Sequence, residues 1–470
     1  MRPVLFLLVT SAFLQWLWAP AWADSDLELR NGAASSSRSH DLEVAKEVFQ
    51  ANCARCHGAT GAGDGRDAKR MFPRPRKLSE GIFKFRTTAS GTPPADEDLF
   101  HTISTGLPGS RMPDFQRLPE ETRMNLIAYV KSLSPVFKEQ QTREPLDLGK
   151  DPGPKQASLA KGKEVYTQLG CTACHGESGQ ANGPSAPTLV DNWGEPIRPA
   201  DLTQGWNYRA GSSPKDIVAR MMTGIDGTPM PSYADALAVS DTEKVSDTAL
   251  MNAWHLAYYV HSLQETPRWN RTVEAVKVAW ALPAAPDDPR WREAPRTDLR
   301  LSSNLYKEGA IQPTTVTAIS VQAMYNEEQV LFRLTWHDPT ESRESPPDAV
   351  SLFFLSDRRQ KFQIGSLRSW PASADAPTLN LDYWSANEMK PIPLKSEASY
   401  ADGRWTVLIQ QPLQLLGQKD AGSRRPILMG VAVWDGGNGE QGRRRANSNW
   451  VDLVLQKTIQ EKLNETNFKN

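Results

Sequence analysis

The chain has 470 residues, with 54 Lys or Arg and 55 Asp or Glu, so its net charge is −1. This length exceeds what one hydrophobic core normally organises, and we expect two to four domains. The balanced charge argues against nucleic acid as a partner and against a strongly charged docking face.

The first 23 residues predict an export signal. Arg2 gives a short positive region, residues 4–18 are apolar, and Ala21-Trp22-Ala23 places small residues before a cleavage site. The apolar run is shorter than the roughly 20 residues that span a bilayer, and no later run reaches that length. We therefore expect a periplasmic protein without a transmembrane segment once the signal is removed; an uncleaved anchor is the alternative. Ser-rich residues 24–40 predict a disordered leader.

Residues 41–135 predict a first helical domain. Apolar residues at helical spacing indicate helices over 42–51 and 120–133. The first helix leads into the motif Cys53-Ala-Arg-Cys56-His57. Gly- and Pro-rich loops follow and reach Gly109-Ser110-Arg111-Met112-Pro113 before the second helix.

After a charged, Pro-containing linker at 136–156, residues 157–265 repeat this layout. Helices are predicted over 159–168 and 247–263, with Cys171-Thr-Ala-Cys174-His175 after the first of them. Several pairs of residues keep a constant separation of 118: Cys53/Cys171, Gly58/Gly176, Gly61/Gly179, Gly65/Gly183, Gly106/Gly224, Met112/Met230 and Pro113/Pro231. The pattern indicates a tandem duplication of one domain rather than a solenoid.

The Cys-x-x-Cys-His motifs predict two covalently bound c-type haems. Two thiols add to the haem vinyl groups, and the adjacent histidine, His57 or His175, is placed to bind the iron. All four cysteines of the chain, Cys53, Cys56, Cys171 and Cys174, are used in this way. A redox dithiol or half of a zinc site is the alternative interpretation of each motif.

Met112 and Met230 are the predicted sixth ligands of the two irons. Each lies 55 residues after its histidine, precedes a proline and belongs to a turn-rich loop, where a core-filling role is less common. The competing ligands are His101 and Met71 in the first copy and Met221 and Met222 in the second. With two strong ligands each, the irons would carry electrons and would have no open position for a substrate.

These features resemble the class I cytochrome c family over residues 42–134 and 158–264. The resemblance implies a small all-α fold in which the first and last helices cross near the haem. It carries haem attachment onto the four cysteines and iron ligation onto His57, Met112, His175 and Met230. A further repeat places Arg86 opposite Arg209; these arginines would either pair with haem propionates or lie on a solvated surface.

From 268 to 456 the sequence predicts an all-β sandwich, followed by a C-terminal tail at 457–470. Short β-branched or aromatic stretches alternate with Pro/Gly-rich breaks. The predicted strands are 273–282, 316–324, 329–336, 349–355, 378–384, 405–410, 427–434 and 450–455.

Segments 332–340, 348–354, 402–407, 431–436 and 446–450 resemble the haem-binding domain of the ethylbenzene dehydrogenase gamma subunit. Similar subunits occur in dimethyl-sulfide dehydrogenase and in selenate or chlorate reductases. In that family a non-covalent haem b is held by a Met and a Lys. Here Gln363-Ile364-Gly365 and Arg443-Arg444-Arg445 stand at those places, and neither Ile nor Arg can ligate iron. The substitutes for a third haem are Met389, Met429 and Lys390; otherwise the domain is a docking module.

The resemblance implies an electron-transfer subunit of an exported molybdenum oxidoreductase related to nitrate reductase and nitrite oxidoreductase. Its partners would be the molybdopterin and iron–sulfur subunits, and a soluble cytochrome or terminal oxidase. Two alternatives stay open. One is a dihaem enzyme, such as a peroxidase or thiosulfate dehydrogenase. The other is a cytochrome fused to a carbohydrate-binding module that uses Trp370, Trp384 or Trp405.

Overall fold

The structure is a computed structural model that describes residues 41–456, except 72, 141, 238–246, 280, 304–313, 345, 356–381, 386–387, 392–394, 417–426 and 443. The predicted signal, leader and tail lie outside the described residues, as do Gln363-Ile364-Gly365 and Arg443. Within the described part of the chain, no helix is long and apolar enough to cross a membrane.

The first helical domain is built around the crossing of its first and last long helices. Asp41 caps the first helix by accepting a hydrogen bond from Val44 N at 3.0 Å. Phe49 then packs on Tyr129 across the crossing, with ring centroids 5.2 Å apart. The helices in chain order are α1 (Leu42–Asn52), α2 (Ala54–His57), α3 (Asp96–Thr105), α4 (Glu120–Ser132) and α5 (Val136–Glu139).

The second helical domain repeats this crossing. Ser158 caps its first helix by accepting from Lys161 N at 3.2 Å, and Tyr166 and Tyr259 pack edge to face at 5.5 Å. The helices are α6 (Leu159–Gln168), α7 (Thr172–His175), α8 (Pro214–Thr223), α9 (Ala234–Leu237) and α10 (Asp247–Ser262). The predicted bounds of the four long helices are met to within one residue.

The C-terminal region is a large β domain. Its strands are β1 (Thr272–Lys277), β2 (Thr297–Ser303), β3 (Ala318–Tyr325), β4 (Gln329–His337), β5 (Ala349–Leu355), β6 (Asp382–Ser385), β7 (Glu388–Pro391), β8 (Lys395–Ala401), β9 (Arg404–Pro412), β10 (Ile427–Trp434), β11 (Ala446–Ser448) and β12 (Val451–Leu455). Strands β2, β7, β8 and β11 were not predicted. Strand β1 ends at Lys277, before the predicted residue 282.

Ten of these strands join in one hydrogen-bonded sheet, whose order is β1-β12-β10-β11-β2-β3-β4-β9-β8, with β5 paired to β10. Strand β1 also pairs with β3, in parallel as it does with β12. The sheet curls over on itself, because the rings of Phe332 in β4 and Phe354 in β5 lie 5.7 Å apart although these strands are not paired. One apolar core, which includes Val321, Trp405 and Val431, fills the interior.

The β domain contacts the second helical domain through a charged cluster. Glu265 accepts a hydrogen bond from His337 Nε2 at 2.9 Å and forms an ion pair with Arg404. The hydrogen bond from His337, together with the charge of Arg404, lowers the pKa of Glu265 to about 2. Nearby, Asn207 donates to Thr317 Oγ1 at 2.6 Å. These polar contacts seat the β domain against the second haem-motif domain.

Candidate haem sites

Both Cys-x-x-Cys-His motifs fold into the same single helical turn. His57 N donates to Cys53 O and His175 N donates to Cys171 O, each at 2.9 Å. The turn brings both thiols and the imidazole together within five consecutive residues, and in the first motif all three line one cavity. A close loop follows, where the Cβ of any residue but glycine at Gly183 would lie 2.4 Å from Ala173 O.

The two histidines are held in the tautomer that metal ligation needs. His57 Nδ1 lies 2.9 Å from Arg76 O and His175 Nδ1 lies 2.9 Å from Ala200 O. A carbonyl oxygen can only accept, so Nδ1 carries the proton and Nε2 keeps its lone pair. Burial lowers the pKa of both imidazoles, which favours their neutral, ligating form.

The first cysteine of each motif lacks the lowered thiol pKa that is typical of a reactive redox dithiol. Burial raises the pKa of Cys53 and of Cys171 to about 11, whereas reactive dithiols have a depressed thiol pKa. A zinc site is not formed either, since among the described residues the motifs do not bring three His, Cys, Asp or Glu ligand atoms together.

The loops that carry Met112 and Met230 are copies of each other in space. Ser110 Oγ accepts from Met112 N at 3.1 Å, and Thr228 Oγ1 accepts from Met230 N at 3.2 Å. Leu107 N donates to the carbonyl oxygen of Met112, and the loop around Met230 has the same bond from Ile225, both at 3.0 Å. Each loop begins at a glycine with positive φ that ends the preceding helix.

The competing ligands have other places in the fold. His101 is exposed on α3, and Met221 and Met222 are buried in the core of the second domain. Met71 is the exception, because it lines the same cavity as Met112. In the first domain two methionines therefore face one cavity, and the hydrogen-bonded loop belongs to Met112.

That cavity has the lining a haem requires. Cys53, Cys56 and His57 lie on its wall with Met112. The rest of the wall is mainly apolar and includes Phe49, Leu78, Phe83, Leu99, Ile103 and Leu126. An apolar slot with thiols, a neutral imidazole and a thioether fits haem c.

A group of cations at the cavity fits the two propionates of a haem. Arg76, Lys84 and Arg209 line it, the last of them contributed by the second domain. Burial, followed by repulsion from Arg76 and Arg209, lowers the pKa of Lys84 to about 7. Burial lowers the pKa of Arg209 as well. Asp191 acts electrostatically on Arg76 and Lys84, and the propionates of a bound haem would add two more carboxylates beside these cations.

Arg86 and Arg209 do not play matching roles, contrary to the symmetric expectation. Arg86 is buried between the two helical domains, where it pairs with Asp226 and donates to Thr223 O at 3.0 Å. It therefore neither faces a propionate nor lies on a solvated surface. Arg76 and Lys84 were missed in the sequence because surface Lys and Arg have the same local pattern.

An insertion in the second copy forms part of the contact between the helical domains. His57 and the residue whose carbonyl oxygen it contacts, Arg76, are 19 residues apart. The corresponding pair in the second copy, His175 and Ala200, is 25 residues apart, so the second loop is six residues longer. In this longer loop Trp193 Nε1 donates to Glu80 Oε2 at 2.8 Å, and Glu195 lies 3.5 Å from Arg74. Arg76 stacks over the Trp193 ring at 4.1 Å.

In the β domain, the residues considered for other ligands are largely structural. Met429 is fully buried in the apolar core, and Arg445 is buried with its guanidinium 5.1 Å from the Trp434 ring. Trp405 is also fully buried and stacks on Trp336, so the proposal that it binds sugar is wrong. Trp370 lies outside the described residues, and the side chains of Trp384, Met389 and Lys390 are not described.

The fold and the site define a class of protein: helical cytochrome c domains with covalently bound haem, followed by a large β domain. Residues 42–134 and 159–264 match the family model for cytochrome c, and these two segments belong to that family. This match confirms the prediction, made from the sequence motifs, of two cytochrome c domains in tandem.

Individual proteins are similar to parts of the chain. The chlorate reductase subunit gamma of Ideonella dechloratans is 26% identical over 210 residues, which are 40% of this chain and 86% of that protein. A heme subunit assigned to a respiratory nitrate reductase in Haloferax mediterranei is 26% identical over 198 residues, 38% of this chain and 70% of that protein. A chain of the reducing HAO-like protein complex of Kuenenia stuttgartiensis is 39% identical, with a TM-score of 0.44, over 47% of this chain and 96% of that one.

Proposed function

We propose that this chain is a periplasmic dihaem cytochrome that passes electrons to or from a molybdenum oxidoreductase. The observations that support the proposal are the repetition of the Cys-x-x-Cys-His turn and of the methionine loop in one chain, and the position of Arg209 of the second copy on the wall of the first copy's cavity. A pair of sites so arranged suits electron exchange between them.

Each site's residues have separate tasks. The thiols of Cys53 and Cys56, and of Cys171 and Cys174, anchor the haem covalently. His57 Nε2 with Met112 Sδ, and His175 Nε2 with Met230 Sδ, are the proposed iron ligands. A bound haem c supplies a one-electron couple. Because these histidine and methionine pairs would leave no iron position open to a substrate, the sites favour electron transfer over substrate chemistry, and we disfavour the peroxidase or dehydrogenase alternative.

The partner class is inferred from two relatives whose names connect them to chlorate reductase and nitrate reductase. We infer that the β domain docks onto the iron–sulfur and molybdopterin subunits of such an enzyme. On the side away from that enzyme, the c-type haems would exchange electrons with a soluble cytochrome or a terminal oxidase. The predicted export signal supports a periplasmic location.

Haem content tests the dihaem assignment. The full-length protein, matured in a host with a cytochrome c assembly system, should give two c-type haems per chain in a pyridine haemochrome assay. The double variants C53A/C56A and C171A/C174A should each retain one. An acid-extractable b-type haem would place a third haem in the β domain, and rapid carbon monoxide binding at one haem of the wild type would favour the enzyme alternative.

Purification from the native host tests the partner. The chain with a C-terminal tag should co-purify with molybdenum and iron–sulfur clusters in fixed ratio to haem c. The matched control is a tagged chain ending at residue 265, which keeps both haem motifs and removes the β domain. Equal molybdenum recovery with both chains would contradict docking through the β domain, and no molybdenum with either would contradict the partner class.

A further inference from the structure

Three aspartates at the ends of β4, β5 and β10 meet at one buried point. Asp338 follows β4, Asp348 precedes β5 and Asp435 follows β10. One carboxylate oxygen of each lies within 4.8 Å of those of the other two. The three residues are 0%, 1% and 0% exposed. No part of the haem sites involves them.

The hydrogen bonds of the cluster hold it in place but leave one carboxylate oxygen without a donor. Asp348 accepts from Gly436 N at 2.7 Å, from Ser342 N at 2.7 Å and from Trp405 Nε1 at 3.0 Å. By contrast, Asp338 Oδ2 is buried and has no hydrogen-bond partner among the described residues. A buried carboxylate oxygen without a donor costs free energy unless a cation or a proton is beside it.

The surrounding charges do not neutralise the cluster. In the described part of the chain, none of the three carboxylates forms an ion pair with Lys, Arg or His. Glu440 adds another acid with 0% exposure. Arg444 acts electrostatically on Glu440 and Asp435, and its guanidinium donates to the carbonyl oxygens of Asn438 and Gly439.

We propose that Asp338, Asp348 and Asp435 bind one Ca²⁺ that ties together the ends of β4, β5 and β10. An all-oxygen, trianionic donor set selects hard divalent cations over transition metals. Two oxygens bonded to one Ca²⁺ at about 2.3–2.6 Å lie at most about 5.2 Å apart, which the cluster satisfies. Mg²⁺ normally keeps several waters, whereas these side chains are removed from solvent.

The site lies next to the contact with the second haem domain. Asp338 N donates to Gly403 O at 3.0 Å. Gly403 packs closely against Gln180 of the second haem domain. A Cβ at Gly403 would lie only 2.5 Å from Gln180 Oε1. The cation would thus stabilise the β8–β9 hairpin, which contacts the loop after the Cys171 motif.

The test uses the full-length holoprotein, stripped with EGTA and desalted. Elemental analysis of the untreated protein should give one calcium per chain beside the haem iron. Calorimetry should show that 5 mM CaCl₂ raises the unfolding midpoint of the β domain in the stripped protein by about 2–4 °C or more. The same concentration of MgCl₂ should have a smaller effect. No calcium, together with no shift on adding CaCl₂, would overturn the site and indicate carboxylates neutralised by protons.

Variants locate the binding. D338N keeps the shape and the acceptor for Thr340 N but removes one charge, so it should weaken Ca²⁺ affinity by at least tenfold and abolish the calcium-dependent shift. D287N changes an exposed aspartate of the same domain and should behave as wild type. If D338N does not fold, D435N and the wild-type titration decide. An unchanged calcium response in a folded D338N would overturn the assignment.

Discussion

At the scale of single residues, two methionines face the first haem cavity and only their surroundings tell them apart. Met112 is fixed by hydrogen bonds at both its N–H and its carbonyl oxygen. Met71 follows a short 3₁₀ turn, where its N–H bonds to Ala68 O at 3.1 Å. Only Met112 has a counterpart with the same bonds in the second domain.

Replacing Met112 by histidine should lower the midpoint potential of one of the two haems by on the order of 100 mV, because bis-His ligation favours ferric iron. The other haem should keep its potential. Spectroelectrochemical titration of the holoprotein resolves the two steps. M71L is the matched control and should leave both potentials where they were; a shift in M71L without one in M112H would assign Met71 as the ligand.

Arg209 makes a second prediction at this scale. A cation near a haem favours the reduced state, so R209Q should lower the potential of the first haem by on the order of tens of millivolts. The change falls on the first haem although Arg209 belongs to the second domain. R86Q removes a buried arginine that pairs with Asp226, and we expect it to weaken the domain contact instead. If R209Q shifts only the second haem, the cross-domain assignment is wrong.

At the scale of elements, the crossing of α6 and α10 requires a glycine, Gly162, at the point of contact. A Cβ at Gly162 would lie 2.1 Å from His255 O and 2.6 Å from the Tyr259 Cβ. The matching position in the first domain is Ala45, which is fully buried. The second pair of helices therefore approaches more closely than an alanine would allow.

G162A should destabilise the second domain by about 1–3 kcal/mol, because the backbone of α10 must move. The gain in helix propensity, about 1 kcal/mol, is too small to compensate. The reverse change, A45G, should cost only about 1 kcal/mol in the first domain. Calorimetry of both holoproteins measures the difference, and a G162A protein as stable as wild type would mean that the crossing adjusts freely.

Local signals account for which elements the sequence predicts. Helices α1 and α6 follow capping residues and have clear apolar spacing, so their positions are predictable. Strand β2 places Thr297 and Asp298 in the interior, which removes the alternation on which a strand prediction depends. Strand β8 is polar and at a sheet edge, and β11 has three residues. The local pattern is too weak in these three.

Long-range contacts explain what the sequence does not reveal about the sites. Arg209 lines a cavity whose histidine is far away in the chain, and Asp338 meets Asp435 across almost a hundred residues. Each of these residues has an ordinary neighbourhood, typical of a surface cation or a turn. The haem motifs are predictable because their chemistry is confined to five consecutive residues.

At the scale of the whole molecule, Glu265 connects the second cytochrome domain to the β domain. Because its pKa falls from 4.5 to about 2 on folding, its carboxylate contributes stability at pH above about 4.5, and this contribution is lost as the pH falls through about 2. E265Q should therefore destabilise the protein by about 1–3 kcal/mol at pH 7.

The difference between E265Q and wild type should shrink steadily between pH 4.5 and pH 2. Urea unfolding followed by circular dichroism at several pH values measures it. E397Q, an exposed glutamate on β8, is the control and should match wild type throughout. A constant difference across this pH range would show that the charge of Glu265 is not what joins the domains.

The seam between the two cytochrome domains is built largely from groups that water can replace: Arg86 with Asp226, Trp193 with Glu80, and Arg74 with Glu195. Polar contacts of this kind resemble the interfaces of transient protein complexes. Either cytochrome domain, if separated from the other at this contact, would expose charged groups there, and water solvates such groups well.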